Sequence, residues 1–248
     1  MPSRMSLREH TRRYSQVFPP MSLVLDYLQN DELDRKITRR EEAFLPDELE
    51  LQLDQLQVTA PDGSMVPAVA KKSYFYKAQH REPIPAEPPH WNIPLALTGL
   101  LFGGLTFVLA RWTRGGKRLP RVLLGLWNAL LGLGWGALGV FLFIVGLWTN
   151  HSVAHHNENL FLINPITFAL LPLGIMQLVG TKRATVALQW AWAALAVISV
   201  LGVLLKVLPP LDQQNWNLIC LVLPVNVLGA IAFRLLYRWQ RTAVWTLR

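Results

Sequence analysis

From Trp91 onward the chain is a succession of long apolar runs broken by short polar punctuation, and before Trp91 no run of comparable length occurs. A bilayer-spanning helix needs about 20 consecutive apolar residues. Five stretches without internal charge meet that requirement, at about 92–110, 122–148, 160–180, 184–205 and 213–233. The pattern predicts a mainly α fold: a polytopic helical membrane protein of about five transmembrane helices, preceded by a small mixed α+β extramembrane region. The parts are an outside region over 1–81 that reads as incomplete, a proline-rich linker over 82–91 and a membrane domain over 92–248. Within the first part, 6–17, 38–44 and 47–56 read as helices, and 23–28 is a short apolar stretch. Asp62-Gly63 reads as the turn of a hairpin. So few apolar residues make a marginal independent core, so the region is expected to pack on missing upstream sequence or on a partner.

Charge sharpens the picture. The net charge of +8 would ordinarily suggest an anionic partner such as nucleic acid. Residues 1–91, however, carry 12 Lys+Arg against 14 Asp+Glu, whereas 92–248 carry 12 Lys+Arg against only Glu158 and Asp212. The excess belongs to the apolar half, and no basic soluble face with interleaved aromatics supports nucleic-acid binding. The loop after the first span holds Arg111, Arg114, Lys117, Arg118 and Arg121. The loop after the third holds Lys182 and Arg183, and the tail holds Arg234, Arg238, Arg241 and Arg248. The loop 149–159 has neither Lys nor Arg, and Lys206 alone edges the loop after the fourth span. Basic loops stay cytoplasmic, so the expected placement is a bacterial inner membrane with the C-terminus inside. The N-terminal region and the loops 149–159 and 206–216 then lie outside. Trp91, Trp112, Trp148, Trp216 and Trp239 fall near span ends, as in an aromatic belt. The start, Met1 to His10, lacks the apolar core of a signal peptide. Either the first span exports what precedes it, or the native protein begins further upstream.

The second span carries Gly125, Gly132, Gly139 and Gly146 at intervals of seven. Such a bare face lets helices approach closely in lipid. Packing against another span of the same chain is the first expectation, and a homo- or hetero-oligomer interface the alternative. Polar residues inside spans (Asn128, Gln177, Gln189, Asn226) are expected to bond between helices, and no ionisable group sits at a span centre to mark a transport path. The single cysteine, Cys220, lies within the fifth span and reads as a core residue.

The dense polar cluster is Thr149 to Asn159, followed by Asn164-Pro165. If the segment were helical, His151 and His155 would share a face. They could then bind a metal such as zinc, with Glu158 as ligand or base. His151, His155, His156 and Glu158 are also the acid–base candidates, because histidine titrates near neutrality. Asn157, Asn159 and Asn164 suggest the plainer alternative, a loop that caps two spans and hydrogen-bonds their ends. A haem site at the same histidines is a further option.

Thr149-Asn150-His151, Asn157-Glu158-Asn159-Leu160 and Asn164-Pro165, lying between two spans, resemble the membrane tail of bacterial proteins that carry an Lnb-type N-terminal periplasmic domain. Arg12-Arg13-Tyr14 through Phe18-Pro19-Pro20, Leu25-Asp26-Tyr27, Glu41 to Leu49 and the turn Pro61-Asp62-Gly63 resemble the end of that domain. The resemblance implies an envelope protein concerned with lipoprotein or lipid modification. The best-known members move an acyl chain within a lipoprotein from its glyceryl group to its terminal amine. The family's reactive Cys and His lie upstream in the domain. With no cysteine outside the fifth span, that pair has no counterpart here and would be upstream or on another chain. The partners so implied are the lipid bilayer, lipoproteins or other membrane subunits.

Overall fold

The structure is a computed structural model. It describes residues 2–245 except 75, 77, 78, 80–82 and 182, with the backbone alone over 242–245. Lys182 and Arg248 of the charge argument, and Glu82 at the head of the linker, lie outside the described residues.

The N-terminal region runs β1 (Pro2–Ser6), α1 (Leu7–Ser15), α2 (Pro19–Leu28), β2 (Lys36–Thr38), α3 (Arg39–Glu42), α4 (Pro46–Gln55), β3 (Gln57–Thr59) and β4 (Met65–Pro67). Ser6 and Glu9 close α1 with a reciprocal capping box, and Thr38 and Glu41 do the same for α3. Pro19 and Pro46 open α2 and α4 in the first helical turn, where a missing N–H costs nothing. β3 and β4 form the hairpin expected around Asp62-Gly63, with Gly63 at φ 83°. The pairing of β1 with β2, antiparallel, has no sequence signal of its own.

The membrane part contains α5 (Asn92–Thr113), α6 (Arg118–Trp148), α7 (Leu170–Val179), α8 (Ala184–Leu204) and α9 (Trp216–Trp245). Four helical stretches are long and apolar enough to cross a bilayer: Asn92–Thr113, Arg118–Trp148, Ala184–Val207 and Trp216–Arg241. The third expected span, 160–180, is not one straight helix. Its two parts, Ser152–Phe161 and Pro165–Val179, meet at 60°. The α-helical piece, α7, has ten residues, about 15 Å at 1.5 Å per residue, half the bilayer's hydrocarbon thickness. The break follows from Asn164-Pro165. Pro165 has no N–H to continue the preceding turn, and the Asn164 side chain accepts from the Ile166 N–H to start a new one.

A break at membrane depth frees backbone carbonyls, which lipid cannot satisfy. Three are met from three different elements. Ser199 Oγ on α8 donates to the Phe161 carbonyl at 3.2 Å, and Asn226 Nδ2 on α9 donates to Leu162 at 3.2 Å. Tyr27 Oη on α2, in the extramembrane region, donates to Ile163 at 3.1 Å. Asn226 also bonds Ser199, and both are buried.

The glycine face of α6 is covered from within the chain. A Cβ on Gly125 would lie 2.6 Å from the Leu178 nitrogen, and one on Gly139 would lie 2.5 Å from the Asn164 carbonyl. Gly132 and Gly136 meet the backbone of Leu170–Leu171 and Phe168 in the same way, and Gly146 faces the Ala154 carbonyl at 3.0 Å. The stripe is therefore the seat of the broken span, and intramolecular packing takes the surface that an oligomer would have used. Of the polar residues inside spans, Asn128 and Asn226 bond between helices as expected, and Trp192 Nε1 donates to Asn128 Oδ1 at 2.8 Å, whereas Gln189 Oε1 is buried with no hydrogen-bond partner among the described residues.

Replacing Gly139 by Ala would force α6 and the break apart, a loss of about 1–3 kcal/mol typical of overpacking. It should appear as a lower unfolding midpoint in detergent. Asn226→Leu would leave the Leu162 carbonyl buried without a donor, at a cost of about 1–3 kcal/mol. Asn226→Asp should recover less stability than Asn226→Gln, because an ionised carboxylate has no N–H to give.

Candidate functional site

The loop 149–159 is not a helix with a histidine stripe. Its helical pieces are two short 3₁₀ turns, Ser152–Ala154 and Glu158–Phe161. Thr149 holds one end: its Oγ1 donates to the Val145 carbonyl, and its own carbonyl accepts from His155 Nε2 at 2.8 Å. A carbonyl only accepts, so His155 carries its proton on Nε2. His151 and His156 are exposed, and His156 adopts φ 51°, a left-handed conformation uncommon outside glycine. The three imidazoles do not form a shared ligand set, because one is tied to backbone and the other two face outward.

The asparagines and Glu158 turn inward; the asparagines meet the N-terminal region, and Glu158 meets the loop 205–217. Asn157 Nδ2 and Asn159 Nδ2 both donate to the Tyr27 carbonyl, at 3.1 and 2.9 Å. Asn159 Oδ1 accepts from Asn215 Nδ2 at 2.8 Å. From the other side Asn30 donates to three carbonyls of the loop, Val153, Ser152 and His155. Glu158 and Gln213 bond reciprocally: the Gln213 N–H donates to Glu158 Oε1 at 2.8 Å, and the Glu158 N–H donates to Gln213 Oε1 at 2.9 Å. Lys206 Nζ closes the set at 2.8 Å from Glu158 Oε2. Lys206 thus neutralises the acid of the neighbouring loop rather than extending freely to the interface.

The centre of the dock is Asp26, 2% exposed. Its carboxylate accepts from Arg8 Nη1 (3.1 Å), from Arg12 through Nε and Nη2 (3.0 and 2.9 Å), and from Asn217 Nδ2 at the start of α9 (3.0 Å). Arg8 is wholly buried and also pairs with Asp34, while its Nη2 donates to the Asn30 carbonyl at 2.7 Å. Arg12 and Asp34 both reach across to Gln214, through its carbonyl and N–H. A buried charge is tolerated only when paired and hydrogen-bonded, and here two cations and two carboxylates neutralise one another. Burial pushes the Tyr27 phenol above its ordinary range, so it remains a donor to Ile163.

The N-terminal region therefore packs on this chain's own loops, 152–163 and 213–217, rather than requiring missing sequence or a partner for its anchorage. It sits at the end of the bundle that carries 149–164 and 205–217. The linker is no free spacer either: Arg13 Nε donates to the Pro85 carbonyl at 2.8 Å, and Arg4 pairs with Glu87 at 2.9 Å.

Among the described residues, the potential metal ligands that converge are His10, Glu42 and Glu48, with one ligand atom from each within 4.8 Å of the others. Sequence reasoning missed them because they come from three helices. Arg13 already fills the centre. Its Nη1 lies 2.6 Å from Glu48 Oε1 and 3.0 Å from His10 Nδ1, and His10 Nε2 lies 2.9 Å from Glu42. A guanidinium only donates, so both ring nitrogens are occupied, and a metal ion would have to displace Arg13. The arrangement serves as a buried staple between α1, α3 and α4.

Comparison with protein families, with curated proteins and with solved structures finds no match to this chain.

Asp26→Ala would remove the carboxylate shared by Arg8, Arg12 and Asn217 and leave Arg8 paired with Asp34 alone. Breaking a buried ion pair from one side costs about 3–5 kcal/mol, enough to release the N-terminal region and open 85–91 to protease while the membrane part stays folded. His151→Ala, at an exposed position, should change stability by less than about 0.5 kcal/mol. Limited proteolysis of the two variants in detergent distinguishes them.

Proposed function

We propose that this chain is a membrane-embedded platform, a non-enzymatic subunit that holds a small extramembrane module rigidly over the bilayer and presents it to a partner. The observation that carries this reading is that the asparagines of the loop 149–159 are spent on the module: Asn157 and Asn159 are buried and both bond the Tyr27 carbonyl. The module in turn leaves an apolar surface uncovered. Leu49, Leu53 and Leu56 recur at helical spacing on α4 and just beyond it, and are 41–48% exposed. Val17, Phe18 and Phe44 are 61–73% exposed. Apolar stripes of this kind mark interaction sites. α4 carries no Lys or Arg, and its acids Glu48, Glu50 and Asp54 are already paired with Arg13 and Lys72, so the stripe lacks the surplus basic charge that draws a segment to an anionic membrane surface, which favours a protein partner. In this reading the chain sits in a bacterial inner membrane with the basic loops cytoplasmic and the module outside.

One further observation favours a more specific partner. Two distant segments behind the Lnb-type resemblance, Asp26-Tyr27 and Asn157-Glu158-Asn159, touch one another directly. On that reading the partner is a catalytic module, upstream or on another chain, that supplies the reactive Cys and His for lipoprotein or envelope-lipid modification.

A photo-crosslinking side chain at Leu53 in native membranes should give one discrete adduct. A second charge-introducing change, Leu49→Glu, should abolish it without altering the fold. Intact-mass analysis of the native protein separates the two partner types. A mass larger by a domain supports an upstream module, and 28.1 kDa with a separate adducted chain supports a subunit. Adducts spread over many proteins or lipids would sink the platform reading.

A further inference from the structure

At the opposite end of the bundle, away from the module, we infer that the cleft lined by Arg111, Arg114 and Lys117 binds the phosphate headgroup of an anionic phospholipid. The cleft joins the end of α5 to the start of α6, has a volume of about 520 Å³, and is completed by Trp112 and Gly115.

Four observations converge on an anion. First, Arg111 and Arg114 both lie against the indole of Trp239 on α9, their guanidinium carbons 5.6 and 5.1 Å from its centroid. One aromatic face thus gathers two like charges, an arrangement that asks for a counter-ion. Second, none of the three cations has an ion pair with a carboxylate among the described residues. From residue 92 onward the acidic side chains are Glu158 and Asp212. Glu158 is bound to Lys206 at the other end of the bundle. Third, the 31-residue helix α6 begins at this cleft. Its N-cap is Lys117, which makes no side-chain cap, and its first turn holds no acid. The positive end of that helix dipole and its free N–H groups are therefore open to an anion. Fourth, the groups beside the cleft are apolar and exposed, Trp112 at 46% and Leu119 at 59%. They lie where a lipid's glyceryl and acyl parts would run. A free phosphate or a nucleic acid would satisfy the charge but leave those side chains uncovered. Clusters of Lys and Arg next to a span end take acidic lipids, at about 1 kcal/mol per cation. The inference is independent of the proposed platform role and of which way the chain faces.

The test is lipid binding to the purified full chain in detergent, read by native mass spectrometry. The probes are phosphatidylglycerol, phosphatidylcholine and inorganic phosphate. Phosphatidylglycerol should be retained in preference to phosphatidylcholine. The triple change Arg111→Gln, Arg114→Gln, Lys117→Gln should weaken phosphatidylglycerol about a hundredfold, at about fivefold per cation. A charge-matched control on the module, Arg35→Gln, Lys36→Gln, Arg40→Gln, should leave binding unchanged. A melting curve shows whether the triple variant is folded. If it is not, Lys117→Gln alone should still lower affinity about fivefold and flatten its salt dependence. Unchanged binding in the folded triple variant, equal loss in the control, or displacement by millimolar inorganic phosphate would overturn the assignment.

Discussion

Everything at the module end of this molecule depends on three backbone carbonyls. A proline after Asn164 prevents the third hydrophobic stretch from crossing as one helix, and the carbonyls of Phe161, Leu162 and Ile163 then need donors where lipid provides none. Ser199, Asn226 and Tyr27 supply them. The first two come from neighbouring spans and the third from outside the membrane. One tyrosine hydroxyl therefore makes the extramembrane region part of the solution to a problem inside the bundle. Tyr27 belongs to the same buried cluster as Leu142, Ile163 and Val222.

The glycines of α6 answer the other half of that problem. An irregular segment is wider and less regular than a helix, and it fits only where the neighbouring surface is bare backbone. Gly132, Gly136 and Gly139 provide that surface along the broken span. The motif that in an isolated helix would suggest self-association is here consumed inside the chain. The dock above it follows from the same economy of polar groups. With His151 and His156 turned outward and His155 tied to the Thr149 carbonyl, the asparagines of the loop bond the end of α2, and Asp26 gathers Arg8, Arg12 and Asn217 around a single buried carboxylate. Such a network fixes orientation more than it adds net stability, which suits a part whose task is to hold a surface in place.

The two ends of the bundle handle charge in opposite ways. At the module end the buried charges are paired within the chain, from Arg8 with Asp26 and Arg13 with Glu48 down to Glu158 with Lys206. At the other end Arg111 and Arg114 lie against Trp239, and neither they nor Lys117 pairs with a carboxylate among the described residues. One end is closed by its own protein. The other is completed by what surrounds it.

The amino-acid sequence by itself determined that this chain lies in a membrane, where four of its spans run, and how its charge divides, because length and hydropathy are local quantities that survive any packing. It also determined helices close to α1, α3 and α4 and the Asp62-Gly63 hairpin, since short helices and turns are settled within a few residues. The bend in the third span is not legible in the sequence's hydropathy, which does not register a missing N–H. Asn164-Pro165 was visible, but its consequence needed Ser199 and Asn226 in place. The fate of the loop was decided only in three dimensions. Whether His151 and His155 share a face, and whether Asn159 points out or in, depends on Asp26 and Tyr27, more than 120 residues away. The staple of His10, Arg13, Glu42 and Glu48 was invisible for the same reason: contacts between elements follow from burial and charge pairing in the folded chain, which no local pattern encodes.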